Sequence, residues 1–197
     1  MGELFNRLDI DKNTAAVNKL CASSIISNNE GTLQLRSKTC NLLDNLVGKI
    51  IPGNIIEFCT AGEFSVHQLL HYLLLQAGPS NIYLSTWTIK EEPARVLFSL
   101  KREGLIKNIY CVLDYRVRTL DAKHFDFIKK IMTDHKLTKC HAKTISIDGE
   151  RLSLSIVSSA NLSNNPRIET GYINCTERSM LFHKGWIMDV INGKKVY

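Results

Sequence analysis

His141-Ala-Lys143-Thr-Ile-Ser-Ile-Asp148, followed by Ser158-Ser159-Ala160-Asn161, gathers the residue types that phosphate chemistry needs. In an extended strand, side chains two apart share a face, so His141 points with Lys143 and Ser159 with Asn161. A nucleophile, a cation and two neutral hydrogen-bonding groups then come within reach of one anion. Asp148 lies an odd number of positions from His141, on the other face or at the strand end, and reads as structural. Asp148-Gly149 is also a hairpin turn signal in its own right.

The spacing His-x-Lys-x4-Asp with a downstream Ser-x-Asn resembles the HKD motif of the phospholipase D superfamily, over about residues 50 to 192. Asn161-Leu-Ser-Asn-Asn-Pro166-Arg167-Ile168-Glu169 is similar to the stretch that leads from Asn to Glu in the small nuclease-like members. Nine residues separate Asp148 from Ser158, a longer interval than the family commonly has, and Ser158 stands in place of its Gly.

The resemblance implies a metal-independent phosphodiesterase, with no cofactor, acting on DNA or RNA. His141 attacks phosphorus to form a phosphohistidine, and its other ring nitrogen donates to an acceptor, for which Glu169 is best suited. Lys143, Ser159 and Asn161 hold the non-bridging oxygens. A second HKD histidine should protonate the leaving oxygen, yet His124-Phe-Asp and His183-Lys-Gly lack the motif's spacing. One motif per chain therefore implies a homodimer with its site on the two-fold axis. Two other functions stay open: a non-catalytic nucleic-acid-binding or assembly protein that retains the fold, and a phospholipid hydrolase or transferase. No amphipathic membrane segment supports the last.

At 197 residues, two complete lobes of this kind would not fit. The expected division is an N-terminal extension over 1–47, serving dimer or partner contacts, and a phospholipase D-like domain over 48–197. A net charge of +6 and a pI near 9.0 favour polyanionic partners. The six cysteines form no C-x-x-C pair, which fits reduced thiols in a cytoplasmic protein. Cys140 near His135 has the wrong spacing for zinc, and no third ligand accompanies His67 and His71, so no metal site is expected. The latter two read as core or dimer-interface histidines. Nothing in the sequence suggests a secretory leader or a membrane span.

The elements that must position these residues follow from periodicity. Thr14 to Cys21 predicts a short helix, and Thr32-Leu33-Gln34-Leu35-Arg36 alternates like a strand. From Asn54 onward strands and helices alternate: a strand to Cys59, a helix over Ser65 to Gln76, a strand over Asn81 to Ser85, a helix over Glu91 to Glu103, and a strand over Asn108 to Leu113. A helix over about Asp121 to Met132 leads to the His141 strand, and Thr144 to Asp148 pairs with Leu152 to Ser159 as a hairpin. This alternation predicts an α/β fold, a mixed but largely parallel sheet with helices on both faces. Strand ends in such sheets border ligand crevices. Trp87 therefore either lines the cleft or packs on the surface, and Arg116 either contacts a phosphate or pairs with Asp114.

Overall fold

The computed structural model describes residues 42–120, 122–164 and 167–194, together with the backbone of 24–27. The helix predicted over Thr14 to Cys21 and the strand predicted over Thr32 to Arg36 lie outside the described residues.

The elements run in order β1 (Ser24–Ser27), α1 (Leu42–Leu46), β2 (Ile55–Ala61), α2 (Val66–Ala77), β3 (Ser80–Thr86), α3 (Glu91–Arg102), β4 (Ile106–Asp114), α4 (Val117–Leu120), α5 (Ala122–Lys129), β5 (Asp134–Thr138), β6 (Thr144–Gly149), β7 (Ser153–Ser158), β8 (Ile168–Asn174) and α6 (Glu177–Ile191). The strands form one eight-stranded sheet in the order β1-β2-β8-β7-β6-β3-β4-β5. The α/β class and the mixed sheet with helices on both faces are as the alternation predicts. The expectation of mainly parallel ladders is corrected. Among the described strands, only β3-β4 and β4-β5 pair in parallel, and the other five pairings are antiparallel. The reason is that the β6-β7-β8 meander enters the sheet between β2 and β3. The β2-α2-β3 crossover spans that meander, so β2 and β3 run the same way without touching.

Period-two burial builds a core on each face. Ile82, Leu84, Ile109, Cys111, Leu113, Ile145 and Ile147 join Leu69, Leu70, Leu73 and Leu74 of α2 and Leu97 of α3 in the larger core. Tyr83 and Val112, one residue out of phase with that set, pack with Ile187 of α6 on the opposite face. Strand β3 is covered on both sides and buried at nearly every position, as a central strand must be. Leu42 and Leu46 of α1 also reach the larger core.

Local chemistry sets the boundaries. Ser65 caps α2 through a reciprocal box with Gln68, which satisfies orphan donors of the first turn. Arg151, in the turn between β6 and β7, donates through Nε and Nη2 to the carbonyls of Gln76 and Leu75 at 2.9 and 2.7 Å. The hairpin tip thus closes the last turn of α2, where carbonyls lack intrahelical partners. Thr176 caps α6 through its side chain, which accepts from the Ser179 amide at 3.2 Å.

Candidate active site

The strand directions bring six chain positions to one edge of the sheet. β2, β3, β4 and β7 end there, while β6 and β8 begin there. His141 and Lys143 precede the first residue of β6. They do not lie within the strand, although the Lys143 carbonyl accepts the Ser158 amide at 3.1 Å and extends the ladder. Ser159 and Asn161 follow β7, Glu169 is the second residue of β8, Trp87 follows β3 and Arg116 follows β4.

Asn161 is clamped from two sides. Its Oδ1 accepts from Thr86 Oγ1 and from the Trp87 amide, both at 3.3 Å. The Leu162 amide donates to Thr86 Oγ1 at 3.3 Å, and the Lys90 amide to the Leu162 carbonyl at 2.9 Å. The loop after β7 is thereby stitched to the loop after β3, and no hydrogen bond among the described residues occupies the Asn161 amide nitrogen. Ser159 takes a different partner. Its hydroxyl donates to Glu169 Oε2 and accepts from the Thr170 amide. Glu169 is thus held by Ser159 within the chain, and no hydrogen bond among the described residues reaches the His141 ring.

Lys143 Nζ donates to the His141 carbonyl at 2.7 Å. Partial burial pushes its ammonium below the ordinary value, against a pull upward from Cys140 and Glu169. The attraction to Glu169 sets those two side chains in one electrostatic neighbourhood. The exposed His141 ring stands 6.3 Å from the Trp87 ring, centroid to centroid. Asp148 faces away from this cluster. It accepts from Lys184 of α6 at 2.9 Å, on the face where Ser146 donates to the Met180 carbonyl at 3.0 Å.

Asp114 is a site neighbour that the motif does not contain. Its carboxylate, 2% exposed, accepts from Arg116 Nε at 2.6 Å and Nη2 at 3.2 Å, from the Arg116 amide at 3.1 Å, and from the Cys140 amide at 3.2 Å. Arg116's hydrogen bonds hold the carboxyl below the usual range, with burial opposing them. The signal available in the sequence was a carboxylate ending an apolar strand, since a buried charge needs partners. Arg116 thus pairs with Asp114, the second of its two predicted roles.

The two histidines of α2 separate. His67 is fully buried and its Nε2 lies 3.6 Å from Glu92 and 3.2 Å from Ser65 Oγ, whereas His71 is exposed. Burial keeps the His67 pKa low despite Glu92. A cavity of about 840 Å³ opens at the other end of the sheet among Asp44, Lys49, Tyr72, Gln76 and Arg151. Two of its polar side chains tie the segment after α1 to α2: Tyr72 and Gln76 both donate to the Gly48 carbonyl, at 2.8 and 2.9 Å.

No protein-family model matches the sequence, and no curated protein does. Solved structures match in fold. NucT from Helicobacter pylori aligns with a TM-score of 0.53 at 13% identity, over 70% of this chain and 96% of that one. Phosphatidylserine synthase from Haemophilus influenzae Rd KW20 aligns with a TM-score of 0.56 at 12% identity, over the whole of this chain and 48% of that one. Both are phospholipase D superfamily folds, and a likeness at such identity speaks of architecture. The chain has the phospholipase D fold.

Proposed function

We propose that the chain is a metal-independent phosphodiesterase acting on nucleic acid through a phosphohistidine on His141, with its site completed by a second copy. The observation that carries this reading is the convergence of His141, Lys143, Ser159, Asn161 and Glu169 on one sheet edge, from segments that meet only through the β6-β7-β8 meander. The net charge of +6 supplies an attractive field for polyanions.

A neutral His141 nitrogen attacks phosphorus while the bond to the leaving oxygen breaks. That oxygen takes its proton from the imidazolium of the partner's His141. Water then attacks the phosphohistidine, passes its proton to the neutral imidazole of the partner's His141, and frees the His141 nitrogen. Lys143 and the Asn161 amide hold the non-bridging oxygens where charge develops, and Ser159 joins them when its single hydroxyl proton turns from Glu169 to the phosphate. Glu169, released by that turn, orients the imidazole of His141 or of the partner's His141.

The test is cleavage of labelled DNA and RNA in EDTA, with light scattering on the same preparation. Turnover should survive the chelator, vanish in His141→Ala, and fall on the order of 10²–10³-fold in Lys143→Ala. Activity lost in EDTA and restored by magnesium would refute the mechanism, and a monomeric mass in an active preparation would refute the shared site. A second reading, a non-catalytic nucleic-acid-binding protein, draws on the lack of an acceptor for the His141 ring among the described residues. Salt-sensitive DNA binding without turnover would establish it. Cleavage of phosphatidylserine vesicles with nucleic acid untouched would move the same chemistry to a lipid.

A further inference from the structure

Beside the phosphate residues the sheet edge carries a stack of planar groups. The Arg116 guanidinium lies 5.1 Å over the Trp87 ring and 5.8 Å from the Tyr115 ring. Trp87 in turn stands 6.3 Å from the His141 imidazole. The order along the edge is therefore His141, Trp87, Arg116, Tyr115.

The hydrogen bonds decide what Arg116 can still do. A guanidinium grips phosphate through a fork of two parallel donors. Here Nε and Nη2 are both spent on Asp114, whose charge also cancels that of Arg116. What remains for a ligand is the outward edge of the guanidinium, with its Nη1 donors, and the part of the flat face that the two rings leave uncovered. A guanidinium pinned only for packing would be enclosed, yet the Arg116 side chain is 46% exposed and Tyr115 is 51% exposed. The stack is also tied to the phosphate residues at two points. Asp114 accepts from the amide of Cys140, next to His141, and the Trp87 amide donates to Asn161 Oδ1.

We propose that Trp87, Arg116 and Tyr115 form a stacking platform for one unpaired base next to the phosphate held at His141, so that the site takes single-stranded nucleic acid. This deepens the phosphodiesterase reading and rests on it for the position of the phosphate. Every base has a π-face, so a platform of this kind tolerates any sequence. A duplex keeps that face inside its own stack and cannot present it without unpairing.

The sequence holds two tryptophans, Trp87 and Trp186, so a Trp186→Phe background makes Trp87 the sole reporter. In that background with His141→Ala, fluorescence titrations would use a short oligothymidylate, a base-free chain with the same number of phosphates, and a duplex. The oligothymidylate should quench Trp87 and bind about 5- to 150-fold tighter than the base-free chain, the gain expected from one stacked base. The duplex should bind no better than the base-free chain. Arg116→Lys keeps a cation but loses the plane, so it should shrink the difference between the two single-stranded probes and leave the salt dependence of binding intact. Equal affinity for oligothymidylate and base-free chain, equal affinity for the duplex, or an unchanged preference in Arg116→Lys would overturn the platform. Hydrolysis of bis(4-nitrophenyl) phosphate by the protein with His141 intact reads the chemistry separately. Turnover without base preference removes the platform alone, and base preference without turnover removes the phosphodiesterase reading alone.

Discussion

Asp114→Asn tests whether one buried carboxylate holds both the His141 segment and Arg116 in place. The substitution keeps the shape but leaves a single acceptor oxygen for four donors, the Arg116 amide, Nε and Nη2 and the Cys140 amide. The new amide NH₂ must face some of those donors. A hydrogen bond to a charged group contributes roughly 1.5–3 kcal/mol, and leaving a buried charge unpaired costs about 3–5 kcal/mol. Arg116 is 46% exposed, so water takes over part of its solvation, and the cost drops to about 2 kcal/mol. In a domain of this size that lowers Tm by roughly 4–8 °C. Because the Asp114 pKa is depressed below 3.8 in the folded state, its stabilisation is fully present above the ordinary carboxylate value. It is lost as pH falls from there through the folded value. Calorimetry of parent and variant should therefore show a constant gap from neutral pH down to about pH 5 that closes in stronger acid. A gap under about 1 °C at neutral pH, or one that persists unchanged into acid, would refute the assignment.

Other substitutions probe the frame around the site. A Cβ at Gly171 would sit 2.4 Å from the Val157 carbonyl oxygen and 2.6 Å from Ser158 Cβ. Gly171→Ala should therefore force β7 and β8 apart beside Ser159 and destabilise by about 3 kcal/mol in denaturant unfolding, and a parent-like midpoint would count against that geometry. Gly185 in α6 has nothing within 4 Å of a would-be Cβ, so Gly185→Ala should raise stability by about 0.5–1 kcal/mol, with a loss arguing against this helix. Lys184→Met removes the ion pair to Asp148 at 2.9 Å and should cost under about 1 kcal/mol with turnover intact. Abolished turnover in a folded variant would give that pair more than a structural role. Glu169→Gln should keep the fold, lower turnover and shift the pH profile, since a neutral amide stabilises imidazolium far less than a carboxylate. Wild-type turnover with an unmoved profile would remove Glu169 from the mechanism.

The parts legible in the sequence are those governed by neighbours along the chain. The strand and helix alternation from Asn54 to Leu113 and the hairpin ending at Ser158 follow from side-chain periodicity and turn chemistry, which act over a few residues. The HKD spacing is legible for the same reason. Helix α6 is not legible in this way because Gly185 interrupts an already weak apolar pattern, and only packing of Met180 and Ile187 against the sheet makes it a core element. Strand β5, Asp-His-Lys-Leu-Thr, has the charged composition of a protected edge and carries no alternation to read.

The class of the fold, the residue types available for phosphate chemistry and the short spacings within each motif are therefore set by local sequence. Tertiary structure alone decided that β6, β7 and β8 enter between β2 and β3, turning an expected run of parallel ladders into a mostly antiparallel sheet. It also decided that Ser159 engages Glu169, that Asn161 is clamped by Thr86 and Trp87, and that Asp114 ties Arg116 to the Cys140 amide. Strand order and register depend on burial summed over the whole sheet. A hydrogen bond between residues far apart in the chain exists only once that sum has been settled.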